Sequence, residues 1–222
     1  MSGDNAGKPL LYTYWRSTAA YRVRIALNLK GIDYALAPVH LVRDGGEQHQ
    51  AAFRDINPQG LVPALAIDDV VITQSMAIME YLEETQPWPP LLPSRAADRA
   101  RVRALATTIA ADIHPLNNLR VLKFLKGDMG VSDEAKNQWY AHWIALGFEA
   151  LERQLSAHPH TGTFCHGDEA GLADIFLVAQ MYNAHRFKCD VSGYPTLNRI
   201  CSAALELEAF ADAVPERQPD AD

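Results

Sequence analysis

Two short polar pairs, Ser17-Thr18 and Gln74-Ser75, stand where a strand-like apolar run gives way to a helical pattern. A helix N-terminus presents N–H groups without intrahelical acceptors and a partial positive charge, so it favours a bound anion such as a thiolate or carboxylate. The Ser17 hydroxyl can donate to such an anion, and Ser75 with its neighbouring N–H groups can hold a carboxylate. The commoner use of such residues is as N-caps that accept from the helix backbone. Between the two pairs, Val62-Pro63-Ala64 puts a proline just ahead of a strand. A cis bond there would leave the Val62 backbone available to an extended peptide, although only about 5% of X-Pro bonds are cis. Two helix starts and a pre-strand proline could together line one edge of a small sheet and suit a short anionic peptide.

The elements that must position these residues follow from periodicity. Residues 10–15 form an apolar and aromatic strand, and 21–30 carry Val23, Ile25, Ala26 and Leu27 at helical spacing before Gly31, a C-cap residue. A second strand at 34–41 and a short helix at 48–53 follow. Residues 64–67 and 70–72 make a hairpin across Asp68-Asp69, and 74–84 form a helix with Met76, Ile78, Met79 and Leu82 turned inward. A βαβ start requires parallel strands joined by a right-handed crossover, and the hairpin adds an antiparallel edge. Residues 86–93 hold four of the thirteen prolines and mark a linker. Beyond it, Val102, Leu105, Ile109, Ile113 and Leu116, then Trp139, Trp143, Leu146 and Leu151, recur every three or four residues. Two more helices are expected at 174–187 and 197–210, and the polar tail 215–222 is expected to coil over the surface. The fold class is therefore α/β (residues 1–87) followed by all-α (residues 88–222).

The chain has 222 residues, 48% of them hydrophobic, and a formal net charge of −7. That suits a soluble globular protein with a sizeable core. No stretch approaches the roughly 20 apolar residues of a membrane span, and the N-terminus lacks the apolar segment of a signal peptide, so no membrane is involved and the expected location is cytoplasmic. An acidic chain without a basic stripe is a poor nucleic-acid binder. Its one local exception is the stretch from Lys8 to Lys30, which has no acidic residue and includes Arg16, Arg22 and Arg24. Anion binding must therefore be built into the site at short range. Cys165, Cys189 and Cys201 cannot all pair. The grouping of His158, His160, Cys165 and His166 matches no zinc spacing, so neither a disulfide framework nor a metal site is expected.

The stretch Ser17-Thr18-Ala19-Ala20-Tyr21-Arg22-Val23-Arg24-Ile25-Ala26-Leu27 resembles the Ser-Ser-Cys-x-x-Arg-Val-Arg-Ile-Ala-Leu signature of the zeta-class glutathione transferases, the maleylacetoacetate isomerases. Asn57-Pro58, Val62-Pro63 and Gln74-Ser75 resemble that family's glutathione site. The likeness continues through 112–120, 183–187 and the closing Arg217-Gln218-Pro219-Asp220. It implies a thioredoxin-like N-terminal domain that binds glutathione, an all-helical C-terminal domain that completes a pocket for a small dicarboxylate, and a homodimer. By matching position it puts Ser17 at the glutathione sulfur. It puts Thr18, Ala19, Ala20, Tyr21, Arg22, Gln48, Val62, Gln74 and Ser75, with His114, Asn118, Leu119 and Arg120, at glutathione-contacting positions. Arg186 falls where the second domain closes on the site, and Arg16 flanks Ser17, so both are expected to recognise substrate.

Two departures matter. The signature cysteine is Ala19 and the second serine is Thr18, so a protein thiol cannot act there, whereas a mechanism using the glutathione thiol survives. Gly171 replaces the Ser/Thr of a capping box and leaves Asp174 without its reciprocal partner. The activity implied is glutathione-dependent cis-trans isomerisation of maleylacetoacetate to fumarylacetoacetate. Isomerisation of maleylpyruvate, attack on α-halo acids, and a glutathione-binding protein without catalysis are the alternatives.

Overall fold

The computed structural model describes residues 7–221. They form two compact units, one holding the described residues up to Leu91 and again from Leu207, the other Leu92–Glu206.

The first unit is built on four strands, β1 (Leu10–Thr13), β2 (Ala35–Pro38), β3 (Ala64–Ile67) and β4 (Val70–Thr73), in the order β2-β1-β3-β4. β1 pairs in parallel with β2 and antiparallel with β3, and β3 with β4 antiparallel. The parallel pair requires a crossover, supplied by α1 (Thr18–Leu29). A four-residue helix, α2 (Ala51–Arg54), leads toward β3, and α3 (Ser75–Thr85) follows β4. Asp68 and Asp69 both have positive φ, 48° and 62°, as a two-residue hairpin turn of the favoured twist demands. α1 and α3 pack against each other, and Leu11, Val23, Ile25, Leu27, Leu65, Ile78 and Leu82 are each fully excluded from solvent. Gly31, at φ 64°, turns the chain directly after the Lys30 cap of α1. The buried Lys30 ammonium pairs with Glu83 at 3.1 Å and donates to the carbonyls of Gln86 (2.7 Å) and Pro89 (2.9 Å). One ion pair thereby holds the proline-rich linker, in which the Trp88–Pro89 bond is cis.

The second unit is helical. α4 (Ala96–Thr107) runs into a π-helical turn, Thr108–Ile113, and a 3-10 turn, His114–Asn117, before α5 (Leu119–Gly127), α6 (Asp133–Ala157), α7 (Leu172–Arg186) and α8 (Pro195–Leu205). The three-to-four-residue recurrence over 102–116 does not reveal that the helix widens from Thr108. Pro115 lacks the N–H that would continue the ladder. Gly147 of α6 leaves the notch in which the Ile113 side chain lies, where any Cβ would collide. Ile175, Phe176, Leu177, Val178 and Ala179 are all buried, as are Gln180 and Asn183, so α7 is enclosed on every face and central to its unit. At its start Asp174 accepts from the amides of Gly171 (2.9 Å) and Cys165 (2.8 Å), and glycine can supply no reciprocal bond.

Two expectations are corrected. Residues 197–210 are not one helix: α8 ends at Leu205 and a separate turn, α9 (Glu208–Ala211), belongs to the sheet unit, where Asn28 Nδ2 donates to Ala209 O at 3.0 Å. The tail is not a loose surface coil. Gln218 is buried and donates to the carbonyls of Asp212 and Val214 (2.9 Å each), and Asp220 accepts from the Trp15 amide at 2.9 Å. One long-range hydrogen bond, from the Trp15 amide to Asp220, and the local bonds of Gln218 hold it, and local polarity shows neither.

Candidate functional site

Strand register alone assembles the site. Thr13 lies opposite Pro38, Tyr12 opposite Ala64, and Ala64 opposite Thr73. The end of β1, the start of β3 and the end of β4 therefore share one sheet edge. Ser17, Val62, Gln74 and Ser75 lie within four residues of those positions in sequence, so the topology gathers them as the sequence motifs suggested.

Ser17 is the N-cap of α1, with extended backbone, and its Oγ accepts from the Ala20 amide at 3.2 Å. The capping role is therefore real, yet it does not exhaust the hydroxyl. Oγ accepts with a lone pair and keeps its single proton to donate, while the partial positive charge of the helix N-terminus favours a neighbouring anion. Capping and anion donation are compatible. Thr18, Ala20, Tyr21 and Arg22 are buried within the unit and Ala19 is half-buried. Burial pulls the Arg22 guanidinium down to about 9. The side chains of Thr18, Tyr21 and Arg22 thus serve the packing of α1, and the contribution of this segment at the edge is its first-turn backbone. Arg16 is exposed and stacks on the Trp15 ring, 4.0 Å from the centroid. That is a cation–π contact rather than a surface ion pair.

The Val62–Pro63 bond is cis. Val62 packs with Tyr14, Trp15, Val39 and Phe53 in an apolar cluster beneath the edge. Gln48, in the 3-10 turn Glu47–His49, is buried; its Nε2 donates to Leu41 O at 3.3 Å, while its buried Oε1 has no hydrogen-bond partner. Gly60 (φ 62°) abuts the Gln48 carbonyl so closely that an added Cβ would sit 3.0 Å from it. A buried acceptor left unmatched is costly unless a ligand donor completes it, so this part of the site fits a peptide-like group. Gln74 precedes α3 with φ 71° and ψ 119°, a region that side chains other than glycine rarely adopt. Its side chain reaches Gln59 Oε1 at 2.8 Å instead of capping the helix. Ser75 is therefore the first residue of the helix rather than its cap, and the strained Gln74 backbone is of the kind that clusters at ligand sites. Gln59 was missed in the sequence, where nothing distinguishes it from a loop polar residue.

In the helical unit, His114 opens the 3-10 turn and is half-buried. Asn118 caps α5, its Oδ1 accepting from the Arg120 amide at 3.0 Å, and Leu119 and Arg120 are exposed in the first turn. Arg186 is exposed at the C-terminal end of α7, 5.3 Å from the Phe187 ring, which itself stacks on Tyr140 at 3.7 Å. Burial pushes the Tyr140 hydroxyl up, with Arg186 opposing. All three cysteines are free. Burial drives the thiols of Cys165 and Cys201 far from thiolate character, which removes Cys165 as a nucleophile. Asp98 joins His160 and His166 with ligand atoms within 4.8 Å of one another, a grouping that the histidine spacing conceals. Its members already have internal roles: Asp98 pairs with His160 at 3.3 Å, and Arg101 reaches His166 Nδ1 (3.2 Å), Cys165 O (2.8 Å) and Thr161 Oγ1 (2.9 Å). The guanidinium of Arg101 pins this loop to α4.

A parallel β1–β2 pair with an antiparallel β3–β4 hairpin, a cis-proline before β3 and a helix-start serine after β1 define a thioredoxin-like unit of the kind found in glutathione transferases. Residues 16–85 match the family described as glutathione S-transferase, N-terminal domain. A probable maleylacetoacetate isomerase of Vibrio cholerae is 54% identical over 213 residues, covering 96% of this chain and 98% of that protein. Among solved structures, the holo form of a bacterial zeta-class maleylpyruvate isomerase superposes with a TM-score of 0.93 at 46% identity, covering 96% of this chain and all of that one. A maleylacetoacetate isomerase from Methylobacterium extorquens AM1, with bound malonate and glutathione, gives 0.92 at 45% identity, covering 96% and 99%. The chain belongs to the zeta-class glutathione transferase family of maleylacetoacetate isomerases.

Proposed function

We propose that this chain isomerises maleylacetoacetate to fumarylacetoacetate with glutathione as a regenerated cofactor, in aromatic amino-acid catabolism. The observation that carries the site assignment is the Ser17 hydroxyl: its oxygen is engaged by the Ala20 amide while its proton remains to be donated, at the edge that also presents Val62 and Gln74-Ser75. Rotation about a C=C bond is prohibitively slow at ambient temperature. Bound glutathione supplies a thiol whose reversible addition makes that bond single, permits rotation and restores the trans alkene on elimination.

The chain's own part is to bind and to hold protons in place. Ser17 donates to the sulfur and favours its thiolate, each pKa unit of depression being worth about 1.4 kcal/mol. Gln48 Oε1 accepts from the tripeptide backbone, and Val62 presents its backbone to the same extended chain. Ser75 and the first turn of α3 take a glutathione carboxylate. No protein thiol competes, because Ala19 fills that position. The substrate is a dianion, so Arg16 and Arg186 are assigned to its carboxylates and to the negative charge that develops on the carbonyl oxygen. His114, Asn118, Leu119 and Arg120 are assigned to the glutathione side of the helical unit. The active species is a cytoplasmic homodimer acting on a small dicarboxylate. Among the described residues no helix is long and apolar enough to cross a membrane, which is consistent with that location.

The similarity to a maleylpyruvate isomerase supports a second reading, because both substrates are cis-enone diacids. Parallel assays of the two at equal glutathione decide between them. Higher kcat/KM with maleylacetoacetate is expected, and equal or faster turnover of maleylpyruvate would reverse the assignment.

A further inference from the structure

The turn that delivers Ser17 is gripped from the other end of the chain. Residues 14–17 form a tight turn closed by the Ser17 amide on Tyr14 O at 2.9 Å. Inside it, both backbone groups of Trp15 are held by charged side chains. The amide donates to Asp220 Oδ2 at 2.9 Å, and the carbonyl accepts from Arg24 Nη2 at 3.1 Å. Asp220 lies 205 residues away in sequence. Arg24, fully buried, uses its other nitrogens on Thr13 Oγ1 (3.2 Å) and on Ala213 O (3.1 Å), a carbonyl two residues ahead of the tail. Tail, arginine and turn thus form a circuit of hydrogen bonds around one residue, Trp15, two positions ahead of Ser17.

We propose that Asp220 is a positioning residue for Ser17: its carboxylate, accepting from the Trp15 amide, fixes the turn so that the Ser17 hydroxyl stays on the Ala20 amide with its proton directed to the glutathione sulfur. This rests on the role assigned to Ser17 above. The bond has ordinary length, so the position of an acceptor oxygen rather than its charge is what the turn requires. Catalytic geometry is sensitive to displacements of about 1 Å, which can lower rates by about a hundredfold. Without the acceptor the turn loses the hydrogen bond that ties the Trp15 amide to the tail, and the hydroxyl is held less firmly at one orientation.

The test compares Asp220→Asn, which keeps an acceptor oxygen without the charge, Asp220→Glu, which keeps the charge but moves the oxygen by one methylene, and Asp220→Ala. For each, isomerase kcat is measured at pH 7, and the ionisation midpoint of enzyme-bound glutathione is followed by thiolate ultraviolet absorbance, in both the native and the Ser17→Ala background. Asp220→Ala and Asp220→Glu are expected to lower kcat about tenfold and to raise the thiol midpoint by about one unit, as a tenfold loss of thiolate requires. Asp220→Asn is expected to stay within about twofold of the native enzyme, and in the Ser17→Ala background Asp220→Ala should add less than about twofold. A folded Asp220→Ala enzyme with native kcat and thiol midpoint overturns the proposal. So does Asp220→Asn behaving like Asp220→Ala, or an Asp220→Ala effect that is undiminished without the hydroxyl. If Asp220→Ala does not fold, the Asn and Glu variants decide alone. A silent Ser17→Ala would instead sink the role of Ser17, an outcome distinct from a sensitive Ser17→Ala beside a silent Asp220→Ala.

Discussion

Three substitutions at Ser17 separate its two roles. Ser17→Ala removes both the acceptor that caps α1 and the proton that faces the anion. Loss of a serine N-cap costs about 1 kcal/mol, and in a chain of 222 residues each kcal/mol moves Tm by about 2–4 °C. A fall of about 2–4 °C is therefore expected from capping alone. The catalytic loss is larger in ratio: if the hydroxyl supplies one pKa unit, the thiolate fraction at pH 7 falls about tenfold and turnover with it. Raising the assay by one pH unit should recover most of that loss, because bulk alkalinity then supplies the thiolate that the hydroxyl no longer does. Ser17→Asp retains a good cap acceptor but, when ionised, has no proton to give and sets a negative charge beside the sulfur. It should hold Tm near native while losing more activity than Ser17→Ala. Ser17→Thr keeps cap and proton and should stay within a few-fold of native in both respects. Thermal unfolding and initial-rate isomerase assays from pH 6 to 9 provide the two readouts. A Ser17→Ala enzyme that melts earlier but turns over at the native rate would reduce the residue to a cap.

Lys30→Met should destabilise by about 3–5 kcal/mol, because it strands the buried Glu83 carboxylate. Urea unfolding should show most of that loss recovered in Lys30→Met/Glu83→Leu, and a single-variant loss below about 1 kcal/mol would contradict the buried-pair account. Arg186→Ala should raise KM for the diacid about tenfold, the effect of one charge-assisted contact, with a smaller change for glutathione; steady-state kinetics in both reactants would expose the reverse pattern, which would place Arg186 on glutathione. The Asp133 carboxyl, hydrogen-bonded by Lys126 at 2.7 Å and Lys136 at 2.8 Å, is held down to about 2. Because its folded value lies below the unfolded one, its contribution to stability is present above the unfolded value, near 3.9, and is lost as pH falls through about 2. A carboxyl carbon NMR titration should give that midpoint, and Lys126→Met should raise it.

The strands and helices of residues 10–85 were legible because their determinants are local. Gly31 and the Asp68-Asp69 pair mark chain reversals that few other residues accept, and Val23, Ile25 and Leu27 declare the buried face of α1. The same locality explains the misreadings. Leu197, Ile200, Ala204 and Leu207 keep helical spacing into the break between α8 and α9, although the two belong to different units. Period reports which face is buried and cannot report which core buries it. The widened turn at Thr108–Ile113 answers to Gly147, more than thirty residues on, and only the meeting of Gly147 with Ile113 shows why a small residue is needed there.

The site divides along the same line. Ser17, Val62 and Gln74-Ser75 could be picked out as helix starts and a pre-strand proline, because a bound anion exploits the unpaired N–H groups that a helix start presents. What sequence left open was whether Ser17 caps or donates, and the structure shows that it caps through one lone pair, which leaves its proton free for the donation proposed above. Polar side chains whose role is to hold backbone elsewhere carry no local signature. Asp220 sits in a polar tail of the kind that usually lies loose, and Arg24 shares its stretch with Arg16 and Arg22, yet Arg24 directs each of its three nitrogens to an acceptor inside the protein. Of the three arginines between Lys8 and Lys30, Arg24 braces the turn, Arg22 is sunk in the core, and Arg16 alone is exposed. Local attraction for glutathione therefore has to come chiefly from oriented N–H and O–H groups, and the protein's net charge of −7 is no obstacle to it, because such dipoles act over a few ångströms.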